Sequence, residues 1–194
     1  MTIGVLAVQG DVREHLSALA RLGVAGRPVL QPEHLPALGG IILPGGESTA
    51  MWRLMTRTGL ASSLREALVA GLPAFGTCAG MILLAREITN WPESFFGVLD
   101  IAVERNATGR QVDSFEGRVS ANGLGEIAAV FIRAPLVRRL GPRVEPLAWL
   151  GDAPVLVRQG QVLAASFHPE LTGDDRMHAL FIRMCRKGEP WKQR

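Results

Sequence analysis

Apolar and polar positions along this chain fall into two textures that change near residue 95. In the first part, short continuous apolar runs alternate with stretches of helical spacing. Ile3 to Val8 is apolar throughout, as expected of a strand buried on both faces of a parallel sheet. From Val12 to Leu22, the residues Leu16, Leu19, Ala20 and Leu22 recur near helical spacing, and Gly23 supplies a stop. Arg27 to Leu30 and Gly40 to Leu43 predict a second and a third strand, the latter running into Pro44-Gly45-Gly46. A helix capped by Ser48 extends to about Thr58, and another covers Ala61 to Ala70, closed by Gly71. Pro73 then opens a short buried strand, Ala74-Phe75, which turns at Gly76-Thr77-Cys78-Ala79-Gly80 into the helix-like run "MILLARE".

Beyond about Phe95, "FGVLDIAVE", "QVDSFEGRVS", "EIAAVFIRA", "VEPLAWL", "APVLVRQ" and "QVLAASFHP" predict short strands, separated by turn signals such as Asn122-Gly123 and Gly151-Asp152. An amphipathic helix from about Asp174 to Arg186 closes the pattern. The expected architecture is one α/β domain over residues 1–188, with a mostly parallel central sheet flanked by helices and an added antiparallel layer. Residues 189–194 are expected to form a loose tail.

Composition narrows the functional classes. A length of 194 residues suffices for one sizeable core without a second domain. The net charge of +3 raises nucleic acid as a partner, but the basic residues are scattered and form no phosphate-binding stripe, so none is expected. No apolar run reaches the roughly 20 residues of a membrane helix, and the first residues do not read as a signal peptide. Two cysteines, Cys78 and Cys185, make neither a disulfide framework nor a metal-ligand spacing, so no metal is expected and a reducing cytoplasm is the default.

The candidate chemistry begins at Cys78. Strand, then G-x-C-x-G, then helix is the cysteine form of a nucleophile elbow, in which glycines tolerate close backbone approach and the thiol sits near a helix N-terminus. The same residues also fit a buried structural cysteine among loop glycines. A nucleophile needs a base and an orienting group. Of the four histidines, His15 and His178 fall in predicted helices as surface or packing residues, and His34 lies in a Pro-flanked connection. His168 ends an apolar strand in His168-Pro169-Glu170, where side chains two apart on an extended segment share a side, so Glu170 can orient the imidazole. Ligands of open α/β sheets gather at the carboxyl ends of strands, where the elbow, Pro44-Gly45-Gly46-Glu47-Ser48 and His168 all fall. The Gly46 and Ala79 N–H groups are candidate oxyanion donors.

In this order, "PGG", "GTCAG" and "HPE" resemble the class I glutamine amidotransferases. More narrowly, the chain is similar to the PdxT family, the glutaminase subunits of pyridoxal 5′-phosphate synthase. That likeness rests on "VQGDVREH", "LPGGESTAM", "GTCAGMILLA", "ERNATGRQVDSFEG", "VFIRAP" and "SFHPELTGD", which extend over almost the whole chain. The resemblance implies hydrolysis of L-glutamine to glutamate and ammonia. Cys78 would attack the side-chain amide, His168 shuttle the proton and Glu170 orient His168. The family's glutamine contacts fall on Gly46, Glu47, Ser48, Arg105, Ile132 and Arg133, and either arginine suits an α-carboxylate through two parallel hydrogen bonds. Gln9-Gly10-Asp11 falls in its docking region. The implied partner is a (β/α)₈-barrel synthase subunit in a large hetero-oligomer, and no cofactor is implied, because pyridoxal 5′-phosphate is the product of the complex.

Three other readings compete. A glutaminase could serve another ammonia-using synthase. A DJ-1-like hydrolase or chaperone commonly places His after its nucleophilic Cys, whereas Ala79 follows Cys78 here. A non-catalytic binding module need not keep Cys78, His168 and Glu170 together.

Overall fold

The computed structural model describes residues 1–105 and 114–187. The chain begins with β1 (Thr2–Leu6), α1 (Val12–Arg21), β2 (Ala25–Val29), β3 (Leu38–Leu43), α2 (Ser48–Arg57), α3 (Leu60–Val69), β4 (Ala74–Thr77) and α4 (Ala79–Leu84). It continues through β5 (Ala85–Ile88), β6 (Leu99–Glu104), β7 (Phe115–Ala121), β8 (Gly125–Phe131) and β9 (Leu136–Leu140). Then come β10 (Glu145–Leu150), β11 (Ala153–Gln159), β12 (Val162–Ala165) and α5 (Arg176–Lys187).

Among the described residues, nine strands form one sheet in the order β2-β1-β3-β4-β12-β11-β10-β7-β8. The pairings from β2 to β12 are parallel and those from β12 to β8 antiparallel. The fold is thus α/β with the antiparallel strands largely continuing the main sheet. A second sheet, β5-β6-β9, stands apart. Alternation along the parallel strands divides the core between the faces. Leu6, Ile41 and Leu43 pack with Met51, Met55 and Leu64 of α2 and α3, whereas Ile3, Val5 and Ile42 pack with Leu19 of α1 and Phe181 of α5. Burying each such side chain is worth about 1.5–3 kcal/mol. Among the described residues, no helix is long and apolar enough to cross a membrane.

The antiparallel half curls. Three strands separate β8 from β12 in the sheet, yet the His168 N–H, just beyond β12, donates to Val130 O of β8 at 2.8 Å. This closure carries the segment after β8 to the carboxyl ends of the parallel strands.

Several elements differ from the sequence pattern. The cap of α2 is Glu47 rather than Ser48: its carboxylate accepts from the Thr49 N–H at 3.0 Å and the Ala50 N–H at 2.7 Å, while Ser48 is the buried first helical residue. The run "MILLARE" is helical only to Leu84. Ala85 turns extended, and Ala85–Ile88 becomes β5, pairing with β6. Strand β9 was not expected, because its paired arginines mask the apolar alternation. Arg138 and Arg139 reach across to Glu104 (2.6 Å) and Asp100 (3.3 Å) on β6. The expected tail, 189–194, lies outside the described residues.

Glycines permit the close approach of β3, β4 and α4. A Cβ at Gly80 would stand 2.0 Å from Leu43 O, and one at Gly76 would stand 2.6 Å from the Gly80 carbonyl carbon. These contacts are with backbone, which cannot step aside as a flexible side chain can. Gly80→Ala is therefore expected to destabilise the fold by about 1–3 kcal/mol or more, read as a lowered denaturant midpoint.

Candidate active site

Parallel pairing sets the geometry. Thr77 of β4 is in register with Ala165 of β12, and the Cys78 N–H continues the ladder to Ala165 O at 2.9 Å. The chain must then reverse into α4, which holds Cys78 at φ 47°, ψ −103°. Such a conformation costs a non-glycine residue about 1–3 kcal/mol. Among the described residues, the non-glycine residues at positive φ are Ala37, Cys78 and Arg133, and the last two line the same cavity.

That cavity has a volume of about 330 Å³ at the carboxyl ends of β1, β3, β4 and β12. It gathers Gln9, Asp11, Gly46, Glu47, Ser48, Cys78, Ala79, Arg105, Ile132, Arg133 and His168, together with Ile82, which the sequence pattern did not single out. Gly10 and Glu170 stand behind it. A larger groove of about 690 Å³ between α2, α3 and Phe95 shares none of these residues.

His168 is buried, with its ring against Gly45: a Cβ there would lie 2.2 Å from His168 Cε1. Its Nδ1 is 2.9 Å from Glu170 Oε1 and 3.2 Å from Asp11 Oδ2. The expected extended segment is instead a 3₁₀ turn, Pro169–Leu171, whose first position suits the fixed φ of proline. The imidazole and carboxylate still meet, across one turn rather than along one strand.

With Nδ1 held by Glu170 and Asp11, Nε2 is the ring nitrogen left to meet Cys78, which hydrogen-bonds His168 in the same cavity. Burial alone would depress the His168 pKa, but hydrogen bonds to Asp11, Cys78 and Glu170 outweigh it and raise it well above the ordinary value. Burial would raise the Glu170 pKa, yet the neighbouring His15 and His168 outweigh that and hold the carboxyl below the usual carboxylate range. The Cys78 thiol donates to Ile132 O at 3.7 Å, a contact that depends on the curl of the sheet. Asp11, His168 and Glu170 also lie close enough to share a cation, their ligand atoms all within 4.8 Å. Here both carboxylates bracket Nδ1, as acceptors sharing one N–H.

The loop before α2 rests on the segment after β1. Gln9 Oε1 accepts from the Glu47 N–H at 2.8 Å, the Asp11 N–H donates to Gly45 O at 3.3 Å, and a Cβ at Gly10 would fall 1.8 Å from that oxygen. Ala79 opens α4, so its N–H is one of the first-turn donors that lack an intrahelical acceptor. Arg105, just past β6, pairs with Glu47 Oε1 at 3.2 Å and lies 5.0 Å from the Trp91 ring centre. Asn90 grips its backbone at both N–H and C=O. Arg105 Nη1 is buried without a partner among the described residues.

Asp11 was expected only in docking, and its contact with His168 is tertiary. His15 and His178 are fully buried. The helical spacing His15, Leu19, Leu22 puts His15 on the apolar face of α1, a signal that the reading of His15 as a surface or packing residue did not use.

A thiol on a strained turn, an adjoining imidazole and a buried carboxylate behind it are the parts of nucleophilic acyl transfer. The chain belongs to the SNO glutamine amidotransferase family, whose model matches residues 5–187. It is 55% identical over 185 residues to the pyridoxal 5′-phosphate synthase subunit PdxT of a Thermus thermophilus strain, covering 94% of this chain and 97% of that one. It is 52% identical over 188 residues to the subunit of the same name from Thermosipho africanus, covering 96% and 100%. A crystal structure described as a glutamine amidotransferase superposes with a TM-score of 0.91 at 54% identity, covering 95% of this chain and 98% of that chain.

Two expectations follow from this geometry. Cys78→Gly, which removes the Cβ from a positive-φ position, is expected to be more stable than Cys78→Ala by about 1 kcal/mol or more, measured by chemical denaturation. In an NMR titration the His168 ring is expected to stay protonated well above pH 6.5, and Cys78→Ala to lower its midpoint, because the sulfur is one of the groups holding the proton there.

Proposed function

We infer that this chain is the glutaminase subunit of a pyridoxal 5′-phosphate synthase, hydrolysing L-glutamine to glutamate and ammonia. The observation that carries the reading is the convergence of Cys78 and His168 on one cavity, with Glu170 2.9 Å behind the imidazole. Membership of the glutamine amidotransferase family and near-full-length similarity to PdxT subunits supply the substrate class and the pathway.

In the proposed reaction the Cys78 sulfur attacks the side-chain amide carbon. The Gly46 and Ala79 N–H groups stabilise the developing oxyanion, an effect worth about 10²–10³ in turnover per donor. The C–N bond breaks as His168 delivers a proton from Nε2 to the leaving nitrogen, releasing ammonia and a γ-glutamyl thioester. Water, deprotonated by the same nitrogen, adds to the thioester and frees glutamate and the thiol. Glu170 keeps the proton on Nδ1 throughout, so that Nε2 alone exchanges it. Arg105, through its unpartnered Nη1, and Arg133 are assigned to the substrate α-carboxylate. Glu47, Ser48 and Ile132 complete the glutamine contacts. These steps use side chains and water of the site, and no cofactor or metal is assigned to them.

Free ammonia is mostly protonated at neutral pH and no longer nucleophilic, so a synthase partner must receive it through a sheltered path. We assign that partner to a (β/α)₈-barrel subunit docking at Gln9, Gly10 and Asp11, in the cytoplasm. The contacts of these residues with Gly45 and Glu47 support a further step, in which docking resets the peptide at Gly46 and completes the oxyanion site.

Cys78→Ala is expected to abolish glutamine-dependent synthesis by the assembled complex while sparing synthesis from ammonium salts; product formation with each nitrogen source measures both. The isolated chain is expected to hydrolyse glutamine more slowly than the complex, and equal rates would remove the docking step. Exhaustive chelation is expected to leave glutamine turnover unchanged, as followed by glutamate release.

A further inference from the structure

Beneath Glu170 lies a cluster of buried polar groups that the reaction above does not use. His15 and His178, on α1 and α5, are both fully buried, and His15 Nδ1 is 2.9 Å from His178 Nε2. On its other side His15 Nε2 is 3.2 Å from Thr77 Oγ1 and 3.5 Å from Glu170 Oε1. The Thr77 hydroxyl in turn donates to Glu170 Oε1 at 3.3 Å. Thr77 belongs to β4 immediately before the nucleophile, so the cluster ties the elbow to the triad carboxylate.

The proton positions follow from satisfaction of buried donors. Burial pushes the His178 pKa down to about 4, so this ring is neutral at pH 7 and carries one N–H. Its Nδ1 is buried and unpartnered, and an orphaned N–H there would cost about 1–3 kcal/mol, so the hydrogen resides on Nε2. His178 therefore donates to His15 Nδ1, leaving the His15 hydrogen on Nε2, directed at Thr77 and Glu170. Asp175 and Arg21 act on His178 with opposite signs, and the Phe75 ring packs edge-on against both imidazoles. The His15 ring meets two titratable side chains, Glu170 and His178, and the Thr77 hydroxyl, while its backbone N–H donates to Asp11 O.

We propose that His15 is a positioning residue of the triad: a directed chain of donors, His178 to His15 to Thr77, converges on Glu170 Oε1 and fixes the one oxygen that accepts the hydrogen bond from His168 Nδ1–H. Glu170 Oε2 has no partner among the described residues, so this chain and His168 together set the rotation of the carboxylate. Without it, Oε1 is free to turn away, and Asp11, the longer and more exposed of the two acceptors, is left to hold the His168 Nδ1–H alone. This inference rests on the glutaminase reading, since the positioned groups are those that would act on glutamine.

Thr77→Val and Thr77→Ser decide the matter, assayed for glutamine hydrolysis with the synthase subunit present. Thr77→Val is expected to lower kcat by about 10- to 100-fold, the range typical of removing the outer hydrogen-bond partner of a functional imidazole, with KM for glutamine changed far less. Thr77→Ser, which keeps the hydroxyl, is expected to recover most of kcat. His15→Leu should match Thr77→Val, and the double variant should lose little more than either single one, because both break the same chain. The proton NMR resonance of His168 Nδ1–H is expected to move in Thr77→Val and to stay in Thr77→Ser. That readout tests the relay even if the parent proves not to be a glutaminase. Parent-like kcat in Thr77→Val, failure of Thr77→Ser to recover it, a loss confined to KM or an unmoved His168 resonance would each overturn the proposal. If His15→Leu does not fold, the Thr77 pair and the resonance still give the answer.

Discussion

The hydrogen bond from the Cys78 N–H to Ala165 O prolongs the parallel pairing of β4 and β12 by one residue beyond the end of β4. Most of the site's geometry follows from that extension. Because the two strands run parallel and adjacent, both chains leave the sheet at the same edge, one into α4 and the other into the turn at His168. The sulfur and the imidazole come from positions 90 residues apart in the chain, yet their meeting requires only the register of two neighbouring strands. A slip of one residue would turn the alternating side chains to the opposite face and separate the pair.

The antiparallel half supplies what the parallel half lacks. In the parallel half the segments that follow the strands all emerge at one edge, and they furnish the nucleophile, the base and the glycine turn. The curl that brings Val130 O to the His168 N–H also carries Ile132 and Arg133 over the cavity from the far edge of the sheet. The small sheet contributes Arg105 from a third direction, held by Asn90, Trp91 and Glu47. Backbone strain at Cys78 and Arg133 is concentrated where these separate pieces converge, and the surrounding ladders hold it in place.

Much of this was legible in the chain because the relevant signals are local. Gly76, Cys78 and Gly80 announce a turn too crowded for side chains, and His168-Pro169-Glu170 announces a base with its carboxylate, although the two meet across a turn and not along the expected extended segment. The parallel core showed itself in unbroken apolar runs such as Ile3 to Val8. What stayed hidden depends on contacts between distant segments. Asp11 reads as an acid opening a helix, and nothing nearby indicates that it faces His168. Strand β9 hides its period behind Arg138 and Arg139, whose partners are carboxylates on β6. Ser48 is the more usual capping residue, yet the longer side chain of Glu47 reaches back to two N–H groups and takes the role.

The contact between Gly10 and Gly45 leaves no slack: a single methyl group between them would lie 1.8 Å from a carbonyl oxygen. Two loops pressed together so tightly behave as one mechanical body, and neither can be displaced alone. Free-energy coupling through such a body runs equally in both directions. A protein that grips residues 9–11 and thereby tightens the hold on substrate is itself held more tightly once the substrate is bound. With docking there as proposed, the empty chain would let go of its partner more readily than the loaded one.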